Sequence, residues 1–125
     1  MSQVSLNELK TIIIECGWKI KEKDNNYMEV SKEFNNNITY FFDIDILNYD
    51  TSRVMREINY ISNSFDKNSY IANMVFNSDK KLTIEETKPI ANDIKSSLIQ
   101  LSSDVQYKVN SIARDVELEY EYEEG

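Results

Sequence analysis

The ten residues ITYFFDIDIL (38–47) decide the architecture. Ile38, Tyr40, Phe42, Ile44 and Ile46 fall on one side of a period-two alternation, and Thr39, Phe41, Asp43 and Asp45 fall on the other, which predicts a strand. The run before it, YMEVSKEF (27–34), sets Met28 and Val30 against Glu29 in the same way. Earlier still, WKIKEK (18–23) sets Trp18 and Ile20 opposite Lys19 and Lys21. Asp24-Asn25-Asn26 and Asn35-Asn36-Asn37 separate the three runs as turns, because Asn and Asp tolerate positive φ and bond to their own backbone. The expected unit is a three-stranded antiparallel meander with one apolar face. Such a sheet is not stable alone, so helices must cover that face.

Working outward, the flanks read as helices. Ser5 and Glu8 form a capping box, Val4 and Leu9 a hydrophobic staple, and Leu6, Leu9, Ile13 and Cys16 a helical stripe over 6–16. Gly17 suits the left-handed residue that ends it. After the sheet, Asp50 or Thr51 caps a helix carrying Val54, Ile58, Ile61 and Phe65. Asp66 opens a shorter one with Tyr70, Ile71, Met74 and Val75, and residues 77–82 connect onward.

Thr83 and Glu86 suggest a second capping box, but Pro89 six positions later would clash with the Glu85 carbonyl. Starting the last helix at Thr87 removes the conflict. From there Ile90, Ile94, Leu98, Leu101, Val105, Val109, Ile112 and Val116 form one stripe with an eleven-residue repeat, which stays nearly straight along a helix. About thirty residues give roughly 45 Å, longer than a small domain is wide. The stripe from Ile90 to Val116 is expected to be core; its length leaves two outcomes for the far end, a break near Ser102-Ser103, or a free end at Leu101, Val105, Val109, Ile112 and Val116 that meets a partner, most simply a second copy. The fold class is α+β: a single domain over 1–114 followed by an acidic tail, 115–125.

The charge is unevenly distributed. Net charge is −8. Asp115, Glu117, Glu119, Glu121, Glu123 and Glu124 hold six of the carboxylates, leaving sixteen against fourteen cations in residues 1–114, a net of −2. That balance opposes direct binding to nucleic acid, which needs a basic footprint. The sequence has no histidine, which removes the commonest general base and metal ligand. Only two glycines, Gly17 and Gly125, are present, too few for a phosphate-cradling loop. No cofactor or catalytic role is expected. Asp43 and Asp45 share a strand face with Asp50 beyond, a spacing that suits Mg²⁺, but no companion acid–lysine pair sits on a neighbouring strand, and a solvated face is the expectation. Cys16 lies on the apolar stripe and reads as a buried, inert thiol. The opening residues lack a charged segment followed by an apolar run, and the apolar runs are too short for a bilayer, so a cytoplasmic protein is expected.

The tail VELEYEYEE (116–124) alternates Val116, Leu118, Tyr120 and Tyr122 with Glu117, Glu119, Glu121 and Glu123. Period two suits an added strand, on this sheet or a partner's. Carboxylates interleaved with tyrosines suit a basic protein groove, so Asp115, Glu117, Glu119, Tyr120, Glu121, Tyr122, Glu123 and Glu124 are the expected partner-binding residues.

The runs FDKNSYIANMVF (65–76) and TIEETKPIANDIKSSLIQLSSDVQ (83–106) resemble small acidic uncharacterised proteins of phages and mobile elements of low-GC bacteria. Phe65, Asp66, Pro89, Ile90, Ala91, Ile94 and Leu98 carry the resemblance, and Thr87-Lys88-Pro89 stands where that family has Gly-Val-Pro. The resemblance implies an accessory inhibitor of host defence, anti-CRISPR-like, acting on a nucleic-acid-handling protein. An immunity protein that neutralises a toxin would use the same surface chemistry.

Overall fold

A computed structural model describes the backbone of residues 4–124 and the side chains of residues 4–112. Helix α1 (Leu6–Glu15) leads into strands β1 (Lys19–Lys23), β2 (Tyr27–Phe34) and β3 (Ile38–Asp45), then helices α2 (Thr51–Ser64), α3 (Lys67–Phe76) and α4 (Ile84–Glu124). The α+β class expected from the alternation stands.

Helix α1 starts as its cap requires. The Glu8 amide donates to the Ser5 hydroxyl at 3.1 Å and the Ser5 amide to the Glu8 carboxylate at 2.9 Å. It ends in a Schellman turn: Gly17, at φ 97°, donates to the Ile14 carbonyl, and Trp18 donates to that of Ile13. Trp18 is thereby delivered into the core.

The sheet has the order β1-β2-β3, antiparallel throughout, with Val30 opposite Ile20 on one side and Phe42 on the other. Asp24 and Asn25 both take positive φ in the first turn, the combination that matches the twist of a hairpin. One face carries Met28, Val30, Ile38, Phe42 and Ile44, all buried. Trp18 packs edge-on to Phe42 at 5.7 Å between ring centroids. Tyr40 packs edge-on to Phe65 at 5.5 Å, joining the sheet to the end of α2.

Helix α4 is the spine of the molecule, and α1, α2, α3 and β2 all pack on it. Two sequence expectations about this helix are corrected. First, it begins at Ile84, not Thr87: the Glu86 amide donates to the Thr83 hydroxyl at 3.1 Å, and the Thr83 amide to the Glu86 carboxylate at 3.0 Å. The Thr87 hydroxyl adds a bond to the Thr83 carbonyl at 2.7 Å. Pro89 stays inside the helix because Glu85 and Pro89 lie on its exposed side, where the carbonyl deprived of a partner meets water. Second, the helix does not break at Ser102-Ser103, and the stripe is core through Val109, as its first reading has it, rather than the interface of the alternative. Leu101, Val105 and Val109 are each 1% exposed inside the chain's own core, and Ile112 is half-buried against it. A second copy has no access to those three side chains. The backbone reaches Glu124 as helix, where period two predicts an extended tail. Val116 and the tail side chains lie outside the described side chains.

Polar links tie the spine to its neighbours. The Lys108 ammonium meets the Glu15 carboxylate at 3.7 Å, and the Ser102 hydroxyl donates to Asn59 at 3.3 Å. Lys32 on β2 lies 5.8 Å from the Trp18 and Phe34 ring centroids and reaches the Ser97 hydroxyl. The Tyr49 and Thr51 hydroxyls each approach the Val4 carbonyl at 3.0 Å, latching the start of α1 to the start of α2.

Candidate functional site

The acidic residues considered for a metal are each engaged in local structure. Asp43 accepts from Lys23 at 3.3 Å, Asp45 from the Leu47 amide at 2.8 Å, and Asp50 from the Ser52 amide at 3.0 Å as the cap of α2. Among the described residues no three His, Cys, Asp or Glu side chains converge to hold a metal ion. Cys16 is half-buried at the end of α1, and burial pushes its thiol up, opposed by Lys108 and assisted by Asp104 and Glu15. A thiol held protonated is a poor nucleophile.

The predicted partner-binding residues Asp115, Glu117, Glu119, Tyr120, Glu121, Tyr122, Glu123 and Glu124 all fall within α4. Helical pitch places positions 115, 119 and 123 one turn apart, and likewise 117, 121 and 124. The two-sided arrangement that a strand would produce is therefore absent from the backbone. The oligomer residues of the alternative reading, Leu101, Val105 and Val109, are core, as described above.

A surface that the sequence reading did not single out is the outer face of the sheet. The helices cover only the apolar side. The other side presents Lys19, Lys21 and Lys23 from β1, Tyr27, Glu29, Ser31 and Glu33 from β2, and Thr39, Phe41, Asp43 and Asp45 from β3. Phe41 is 57% exposed and Tyr27 48%. Their neighbours are charged: Lys23 bridges Glu29 at 3.0 Å and Asp43 at 3.3 Å, and its ammonium lies 5.9 Å from the Phe41 ring centroid. Lys19 and Lys21 are exposed and make no ion pair among the described residues. Beyond β3 a groove of about 510 Å³ separates this face from α2, where Arg53 donates to the Asp45 carbonyl at 3.0 Å and Tyr60 stands 71% exposed. The signal was present in the alternation itself, since an aromatic at position 41 sits on the face otherwise given to Thr39, Asp43 and Asp45.

Charged and aromatic groups lie open on these surfaces, while the buried side-chain polar atoms of the described residues all have hydrogen-bond partners. Among the described residues, no helix is long and apolar enough to cross a membrane. Comparison with family models, with curated proteins and with solved structures finds no match for this chain.

Proposed function

We propose that this chain acts by binding: its acidic α4 terminus docks on the basic surface of a nucleic-acid-handling protein and obstructs that surface without chemistry. One observation carries the reading. The helix whose Ile90, Ile94, Leu98, Leu101, Val105 and Val109 are core is the same helix that bears Asp115 to Glu124, so the concentrated charge belongs to a structurally anchored element.

Electrostatics then argue for a basic partner. Carboxylates one turn apart repel by about 0.2–0.5 kcal/mol per pair. Positions 121, 123 and 124 also fall in the last turn of α4, and acidic residues at the negative end of a helix dipole are disfavoured. A cationic surface offsets both terms. Complementary charge mainly speeds and orients encounter, so binding of this kind weakens as salt rises. With the resemblance noted above, the partner class is a nucleic-acid effector of host defence, a CRISPR effector being one, and the mode is competition with its nucleic acid. A partner toxin with a basic face fits the same chemistry.

The test is a titration of the chain against guide-loaded CRISPR effectors and other basic nucleic-acid-binding proteins, at about 50 and 500 mM salt. The reading expects affinity that falls with salt, competition by nucleic acid, and loss of binding on deleting residues 115–125. Binding that ignores both salt and the deletion contradicts it.

A further inference from the structure

The outer face of the sheet supports a second inference, independent of the acidic terminus. We infer that this face is a self-association surface, and that two copies stack sheet on sheet about a two-fold axis running along the strands. The argument starts from register. Three rows cross the open face: Lys19, Ser31 and Phe41; Lys21, Glu29 and Asp43; Lys23, Tyr27 and Asp45.

The charge in these rows is polarised across the strands. The β1 edge carries the exposed cations Lys19 and Lys21, which make no ion pair among the described residues. The β3 side carries Asp43 and Asp45, with the single ammonium of Lys23 shared between Glu29 and Asp43. A lateral gradient from positive to negative is self-complementary under one operation. Rotation by half a turn about an axis parallel to β2 lays β1 of each copy over β3 of the other. An interface of this type is isologous, each contact occurring twice. Lys21 then faces Asp43 of the second copy, and Lys19 faces the exposed Phe41 ring, a cation over an aromatic face. Tyr27 meets its own equivalent at the axis. Glu29 also meets its equivalent, but each already holds its own Lys23 at 3.0 Å, so no free like-charge pair results.

The alternative two-fold, across the strands, would place lysine over lysine and is disfavoured by the same charges. Stacked sheets pack about 10 Å apart with strands within roughly 30° of each other, which the open face permits. The apolar content is modest, and three strands of this length project only about 400 Å². That lies below the roughly 800 Å² per partner of a standard stable interface, so a weak, reversible dimer is expected.

Sedimentation velocity on the full chain, from about 5 to 500 µM, reads the association directly. The inference expects a monomer–dimer equilibrium. Lys21→Glu and Asp43→Lys should each weaken it about tenfold, since every lost pair counts twice. The double variant should recover most of the wild-type affinity, because the exchanged charges again face each other, with opposite sign, across the axis. Circular dichroism confirms that each exposed-site variant remains folded, and Lys19→Glu offers an independent route to the same weakening. A chain that stays monomeric to the top of the range overturns the inference. So does a dimer that Lys21→Glu leaves intact, or one that the double variant fails to restore.

Discussion

The Lys95 ammonium, in the first third of α4, donates to the Phe65 carbonyl at 3.1 Å, at the point where α2 ends. It also reaches the Ser62 carbonyl. The last carbonyls of a helix lack intrahelical partners and carry the negative end of its dipole, so a cation supplied from another element satisfies both demands. One side chain thus caps the end of α2 and links it to α4.

Lys95→Met keeps the aliphatic stem and removes the donor. Hydrogen bonds from charged groups contribute about 1.5–3 kcal/mol, so a loss of that order is expected in urea unfolding. An unchanged midpoint would show that solvent caps α2 equally well.

Leu101 separates core from interface. With 1% exposure it sits inside one chain. Leu101→Ala should cost about 2–5 kcal/mol, the usual range for opening such a cavity. The loss should not depend on protein concentration. A concentration-dependent loss would return this residue to an interface between copies.

Thr83 and Pro89 compete over the start of α4, and the structure shows both accommodated. Thr83→Ala removes the cap and should destabilise by about 1 kcal/mol. Pro89→Ala restores the missing donor to the Glu85 carbonyl and should stabilise by roughly 1–3 kcal/mol, since proline inside a helix costs about 3. Thermal melts of the two variants should therefore move in opposite directions.

The two capping boxes set an acid dependence. The Ser5 amide and then its hydroxyl hold the Glu8 carboxyl below the ordinary glutamate range, and Thr83 does the same for Glu86. A carboxyl whose folded pKa is depressed contributes stability above the unfolded value, and that contribution is lost as pH falls through the folded one. Stability should therefore fall below about pH 4, and Glu8→Gln with Glu86→Gln should flatten that part of the curve. Melting temperatures from pH 2 to 7 report the slope.

Much of this was readable in the chain. Strand faces follow from alternation, which is local: Ile38, Phe42 and Ile44 turn inward because period two leaves them no other side. Helix starts follow from contacts three residues apart, as Ser5 with Glu8 illustrates. The site was less legible. The tail's charge is evident from composition, yet its period-two alternation pointed to a strand, and the backbone is helical because α4 continues without a stop.

The sequence by itself determined which residues pair locally, which face of each element is apolar, and that −6 of the charge falls after Arg114. Only the tertiary structure decided what covers each apolar face. The stripe from Ile90 to Val109 suits a core and an intermolecular seam equally well, because periodicity records that a face needs burial and not what buries it. That choice depends on α1, α2 and α3 arriving from distant parts of the chain. They fill one side of the sheet and leave Tyr27 and Phe41 open on the other.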